Sequence, residues 1–181
     1  MTIIDKVIAA VTPSESDAQR ARARGQALEL ARRSPWLGMV LRHHTAVEDA
    51  FANLISAADP AARRHALRWL CTLLTGHAIA EEAVLYPAMA LGDQKLHATA
   101  AFTEQSGTKI FLAALQTMDP ASDDFLAKVE HVRDSVAHHV YEEECQWFPA
   151  LARYGDAALQ AHLAARYAQE FERYMGPDDA P

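Results

Sequence analysis

Two segments of the chain repeat one another 62 residues apart, and both read as helices with polar residues on an apolar stripe. The first is HAIAEEAVLYPA, residues 77–88, and the second is HVYEEECQWFPA, residues 139–150. The repeat fixes the register, so His139 rather than its neighbour His138 corresponds to His77. Histidine and glutamate four residues apart share one helix face. The chain must therefore fold so that two helices carry such pairs into one core.

The composition predicts an all-α fold. Apolar residues make up 50% of the 181 residues and there are only 7 glycines, which favours helix over strand. Capping residues and prolines delimit the helices, the first of which begins with Thr12 as N-cap and Pro13 at the first helical position. The predicted segments run from Thr12 to about Arg33, Ser34 to Asp59, about Ala61 to Leu91, Lys95 to Met118, Ser122 through the second repeat, and Asp156 to Met175.

The four middle segments predict an antiparallel up-and-down four-helix bundle, because their connections are short. Residues 35–153 form this bundle, residues 1–34 an N-terminal helical extension, and residues 154–181 a C-terminal helix and tail that pack on it. The extension carries five arginines, which we interpret as a solvated helix face or, alternatively, as a partner surface. They are Arg20, Arg22, Arg24, Arg32 and Arg33.

His44 is a third histidine on an apolar stripe, in the first bundle helix. Directing such groups into a core without a cation costs several kcal/mol, on the order of 2–7 per unpaired group. Metal sites in bundles arise from inward-facing side chains on several helices. We therefore predict that a metal binds to His44, His77, Glu81, His139 and Glu143. Glu48, four residues after His44, is a further candidate ligand, or else an exposed flank of its helix.

This pattern resembles the hemerythrin-like, or HHE cation-binding, family. The residues that carry the resemblance are His44 in LRHHTAVEDAF and the two repeated segments, so that it extends from about Trp36 to Leu151. The resemblance implies a four-helix bundle that holds a non-heme di-iron site. It also implies that histidines are terminal ligands and that Glu81 and Glu143 bridge the two irons.

The third bundle helix departs from the family. Its sequence AAFTEQSGTKI has Gln105 at the position where the family has a ligand histidine. The amide oxygen of Gln105, the carboxylate of Glu104, or Glu48 on the first helix could supply the missing donor. His97 lies two turns, roughly 10 Å, from Glu104, so we do not expect it to be a ligand.

The ligand types suit iron, and also zinc or manganese, and the family resemblance implies two iron ions. We expect a non-enzymatic protein that binds or senses dioxygen, peroxide or nitric oxide, or that binds iron. An enzyme acting on peroxide or nitric oxide is one alternative. A helical interaction module with partial metal affinity is the other.

Charge and composition argue against several other classes of protein. The net charge of −7 disfavours a nucleic-acid binder, which needs a basic contact surface. The first residues lack the pattern of a signal peptide, and no apolar run has transmembrane length. Cys71 and Cys145 form no CxxC pair, so we expect a cytoplasmic protein. A protein partner or a homo-oligomer is compatible with the sequence.

The repeat register generates the first testable prediction. We expect His139→Ala to abolish or sharply reduce metal content, because only His139 lies on the apolar stripe and matches His77. The neighbouring substitution, His138→Ala, should leave the metal content nearly unchanged. Metal analysis of both purified variants tests this expectation, and equal losses would contradict the assigned register.

Overall fold

The computed structural model describes residues 15–176, which form six helices and no strand. Four helices are regular: α1, Asp17–Ala31; α2, Pro35–Ser56; α4, Lys95–Thr117; and α6, Ala157–Met175. Helix α3 joins Pro60–Ala80 to Tyr86–Leu91 through a π-helical turn, Glu81–Leu85. Helix α5 joins Asp123–Glu142 to Phe148–Arg153 through the π-helical turn Glu143–Trp147. The predicted all-α fold is confirmed.

The helix ends follow the predicted capping signals except at α1. The signal at Thr12 and Pro13 lies outside the described residues, and the described helix begins at Asp17. Ser16 is its N-cap: its hydroxyl accepts from the Gln19 amide at 3.3 Å, while its own amide donates to the Gln19 side chain at 2.9 Å. This reciprocal pair satisfies two otherwise free donors of the first turn.

Each π turn coincides with one copy of the sequence repeat. Pro87 and Pro149 lack the N–H group that an α-helix would direct to the fourth preceding carbonyl, which favours a widened turn just before them. The amide of Tyr86 bonds instead to the carbonyl of Glu81, five residues back. This bond brings residue 86 over residue 81, so the side chain after the turn faces the same way as the glutamate that begins it.

Helices α2 to α5 form the antiparallel four-helix bundle, and the two outer helices pack against it. Helix α6 lies against α2 and α3, whereas α1 lies against α2 and the π turn of α5. Large buried side chains pack the core, among them Trp36, Phe51, Leu70 and Phe125. Each contributes roughly 1.5–3 kcal/mol by its burial, so the apolar layers support a polar site between them. Among residues 15–176, no helix is both long and apolar enough to cross a membrane.

Candidate metal centre

Three helices bring four potential metal ligands together inside the bundle. His44 comes from α2, His77 and Glu81 from α3, and Glu143 from α5, and one ligand atom of each lies within 4.8 Å of the others. All four side chains are buried, the two glutamates completely. We call this set the first donor group. Its members were all predicted as ligands from the sequence.

The facing atoms of the first donor group do not satisfy one another's hydrogen-bonding capacity. The Nε2 atom of His44 lies 3.2 Å from Glu143 Oε2 and 3.9 Å from Glu81 Oε1, and His77 Nε2 lies 3.3 Å from Glu81 Oε1. Three of these buried atoms have no partner with hydrogen-bonding geometry: His44 Nε2, Glu81 Oε1 and Glu143 Oε2. Such orphaned groups are costly and rare in native proteins. A cation among them would satisfy all of them, so the residues fit a metal ion.

The other oxygens of the same two glutamates belong to a second cluster of polar atoms. At its centre is the hydroxyl of Tyr86, 3.3 Å from Glu81 Oε2, 2.9 Å from Glu143 Oε1 and 3.1 Å from His139 Nε2. The amide nitrogen of Gln105 completes it, 2.6 Å from both the Tyr86 hydroxyl and Glu81 Oε2. We call Tyr86, Gln105 and His139 the second donor group. Each glutamate thus presents one oxygen to each group, as a bridging carboxylate would.

Gln105 and Glu104, the two candidate donors on α4, have different surroundings in the structure. Gln105 is buried and lies in the second donor group. Glu104 is instead a partner of His139, because its Oε2 atom lies 2.7 Å from His139 Nδ1. It thereby leaves His139 Nε2 as the atom that faces the site.

Glu48 does not lie where a ligand would. Its side chain is 58% exposed, and its carboxylate accepts from Arg24 at 2.8 Å on the flank of α2. The physical reason is this ion pair, which draws the carboxylate away from the core although Glu48 follows His44 by one turn. His138 likewise lies outside the site and bonds to Glu15 at 2.6 Å. His97 stacks on Trp147 instead.

Helix α1 reaches the site through Arg24, one of the five arginines interpreted from the sequence as a solvated face or a partner surface. The Nε atom of Arg24 lies 2.6 and 2.7 Å from the two oxygens of Glu144. Glu144 Oε1 in turn lies 2.7 Å from His44 Nδ1. With His44 Nδ1–H donating to this carboxylate, the lone pair of Nε2 points to the metal position, an arrangement that orients metal-bound histidines in many proteins.

Helix α6 provides the corresponding hydrogen-bond partner for the outer nitrogen of His77. The hydroxyl of Tyr167 lies 3.1 Å from His77 Nδ1 and 2.9 Å from His43 Nδ1. Burial, with a smaller contribution from the charge of His44, lowers the pKa of His43 to about 3. A neutral His43 accepts the Tyr167 proton, so the tyrosine oxygen is free to accept from His77. This partner, like Arg24, was not identified from the sequence.

Strong and opposed electrostatic effects act on the titratable side chains of the site. Burial and the charge of Glu143 raise the pKa of Glu81 to about 7. Burial opposes ionisation of Glu143 as well, but His139 and His44 outweigh it and hold the Glu143 pKa below its usual range. Burial disfavours protonation of His139, yet Glu143 and Glu104 raise its pKa to about 10. Ligands must lose these protons when a metal binds, so metal affinity should rise with pH.

A small cavity of about 30 Å³ adjoins both donor groups. Its polar wall includes His44, His77, Gln105 and His139, and much of the remaining wall is aliphatic. The volume corresponds to about one water molecule. A diatomic or similarly small molecule therefore matches the space better than an organic substrate does.

We expect Arg24→Ala to weaken metal binding by about tenfold, in the range typical of groups that orient a ligand histidine. Loss of the guanidinium removes the two bonds that hold Glu144 against His44. Arg22→Ala, an exposed change on the same helix, is the matched control. Anaerobic titration with ferrous iron measures both affinities. Equal affinities for the two variants would contradict a role for Arg24 at the site.

We expect Glu81→Gln to remove metal binding and yet stabilise the metal-free protein at pH 8. A carboxyl whose folded pKa is raised, here from 4.5 to about 7, costs stability as the pH rises through that interval. The gain should be about 1–3 kcal/mol at pH 8 and should disappear below pH 4.5. Thermal melts in chelator at both pH values test this. Glu82→Gln, which removes a carboxylate paired with Lys109 at the surface, is the control and should show no such gain.

The similarity of the chain to known proteins agrees with this geometry. The family model described as the hemerythrin HHE cation-binding domain matches residues 37–151, nearly the span of the resemblance noted in the sequence. A protein from Nostoc sp. described as a DNA nickase is 29% identical over 129 residues, which are 71% of this chain. The chain spans only 36% of the length of that relative. No solved structure matches the chain. The match over most of the bundle shows that this chain belongs to the hemerythrin HHE cation-binding family.

Proposed function

We propose that this protein is a hemerythrin-like di-iron protein that binds or senses dioxygen or a related small oxidant, such as peroxide or nitric oxide. The observation that carries the proposal is the pair of buried glutamates, Glu81 and Glu143, each of which presents one oxygen to each of two donor groups. Two carboxylates in this arrangement suit two ions better than one.

The choice of iron follows from the ligand chemistry and the family. Imidazole and carboxylate together bind iron, zinc and manganese, and family membership favours iron among the three. Bound ferrous iron would supply electrons to the oxidant that it binds. Zinc cannot supply electrons, because it has no redox chemistry.

The side chains around the ions would bind, orient and exclude water. Glu144, Tyr167 and Glu104 each hold the outer nitrogen of one ligand histidine. The aliphatic part of the cavity wall excludes water and accepts a small uncharged molecule. We favour binding or sensing over turnover because Lys109, a charged residue of the wall, is held by Glu82 at 2.6 and 2.7 Å. Its ammonium group is thereby engaged outside the donor groups.

The state of the two cysteines bears on the cellular compartment, which we propose is the cytoplasm. Cys71 and Cys145 are both free thiols, which suits a reducing cytoplasm. The name of the Nostoc relative concerns DNA, but we do not extend that activity to this chain. Most of that relative lies outside the matched part, and the net charge of −7 is unfavourable for contact with phosphates.

Metal analysis and optical spectroscopy of the same preparation test the proposal. Protein loaded anaerobically with ferrous iron should hold two irons per chain, and exposure to air should change its visible spectrum. Return to argon should reverse the change if the protein binds dioxygen, whereas sustained consumption of added peroxide would favour an enzyme. His44→Ala should lose iron, and His65→Ala, an exposed histidine, should not. Iron-free protein under all these conditions would refute the proposal.

A further inference from the structure

A cleft of about 450 Å³ runs along the outer side of α3. Six of its lining residues belong to α3, and Gln116 near the end of α4 and Tyr174 near the end of α6 complete its wall. The volume falls within the range of small-molecule sites, roughly 300–1,000 Å³. Thr75 lines both this cleft and the cavity beside the donor groups. The two spaces are therefore neighbours along α3.

The charge that lines this cleft is positive. Arg64 and Arg68 lie one turn apart on α3, and neither forms an ion pair with a residue of the described range 15–176. The side-chain neighbour of Arg68 is a histidine ring, because its Nη2 atom lies 3.4 Å from His65 Nδ1. Burial raises the pKa of the Cys71 thiol, so this lining residue adds no negative charge. The two guanidinium groups are thus available to an anion.

A second cleft, between α1 and α5, shows arginines in the opposite situation. It is also lined by two of them, Arg20 and Arg24. Arg20 pairs with Asp17 at 3.2 Å. Arg24 pairs with Glu48 at 2.8 Å and with Glu144 at 2.6 Å. All three of these carboxylates line that cleft, whereas no acidic residue lines the cleft on α3.

We propose that the cleft on α3 binds a small phosphate ester of the nucleotide class, with its phosphates at Arg64 and Arg68 and its base on the ring of Tyr174. This inference is independent of the proposed di-iron function, because it uses none of the candidate metal ligands. It assigns to the chain a second binding site, for an anionic ligand.

The two arginines favour phosphates over a single carboxylate. A carboxylate that binds bidentately occupies one guanidinium fork, whereas a chain of phosphates offers oxygens to two forks. Residues four positions apart lie on one helix face, about 5–6 Å from each other at Cβ. The long side chains of Arg64 and Arg68 can therefore converge on one phosphate chain.

Tyr174 provides a flat surface for a base at the other end of the cleft. Its side chain is 44% exposed. The ring lies against α3 because residue 76 is glycine: a Cβ there would be 3.0 Å from Tyr174 Cδ1. Bases stack on such exposed aromatic rings. Gly76 follows Arg64 by twelve residues, about 18 Å along the helix axis, so phosphates and base have separate places along the cleft.

The net charge of −7 does not oppose a ligand of this size. The segment Pro60–Ala80 contains three arginines and no acidic residue, so the local potential around the cleft is positive. A long nucleic acid would extend beyond this segment over a surface with an excess of acidic residues. The charge distribution therefore favours a small phosphate ester over a nucleic-acid strand.

Isothermal titration calorimetry in magnesium-free buffer tests the proposal. The ligands are ATP, AMP, pyrophosphate, adenosine and a single-stranded oligonucleotide. Wild type is compared with Arg68→Ala, with Tyr174→Ala and with Thr72→Glu, which places a carboxylate one turn after Arg68. Arg33→Ala removes an exposed arginine outside the cleft and is the matched control. Circular dichroism confirms that each variant is helical.

We expect wild type and Arg33→Ala to bind ATP equally, more tightly than AMP, pyrophosphate or adenosine. Arg68→Ala should weaken ATP binding by about tenfold or more, because a charged hydrogen-bond donor is lost, and Thr72→Glu should abolish it. Tyr174→Ala should weaken binding of ATP and AMP but leave pyrophosphate binding unchanged.

Three results would overturn the inference. The first is the absence of ATP binding at concentrations up to about 1 mM, which corresponds to a very weak complex. The second is an affinity for ATP that Thr72→Glu and Arg68→Ala leave unchanged, because the ligand would then bind elsewhere. The third is binding of the oligonucleotide without binding of ATP, which would identify the cleft as a nucleic-acid surface.

Discussion

The arrangement of the bundle depends on two glutamates, Glu81 and Glu143, that face each other in the core with no water-exposed surface. Burial, together with the charge of Glu143, raises the pKa of Glu81, whereas His139 and His44 hold down the pKa of Glu143. Burying charges in this way is unfavourable unless they are paired. The histidines provide part of that compensation. The orphaned atoms of the first donor group show that the compensation is incomplete.

The π turns convert a regular sequence repeat into an asymmetric site. In both repeats the turn begins at the glutamate and directs the aromatic residue five positions later inward. One copy places an oxygen there and the other a plain ring, Tyr86 and Phe148. The first donor group therefore consists of two histidines and the two glutamates, whereas the second contains one histidine, an amide side chain and the Tyr86 hydroxyl.

Much of this structure could be predicted from the sequence. The fold and the first donor group follow from helical periodicity and the internal repeat, because position on an apolar stripe decides which way a short side chain points. The groups that bind the outer nitrogens of the histidines were not predicted, because a long side chain can reach residues on another helix. Arg24 has a long side chain that crosses from its own helix to Glu144, and periodicity does not reveal such a reach. The sequence left Glu48 open between a ligand and an exposed flank, and in the structure the same arginine pairs with it on the flank. Tyr86 could have been noticed as the residue that differs from Phe148 between the repeats.

The family match begins at residue 37 and ends at residue 151. The part of the chain that orients the candidate ligands extends beyond both residues. Arg24 from α1 and Tyr167 from α6 lie outside those boundaries, and through them the two flanking helices hold the outer nitrogens of His44, by way of Glu144, and His77. A fragment cut at the family boundaries would keep the ligands and lose the groups that orient two of them. Transplanting the bundle alone into another protein would therefore transfer the composition of the site without its chemistry.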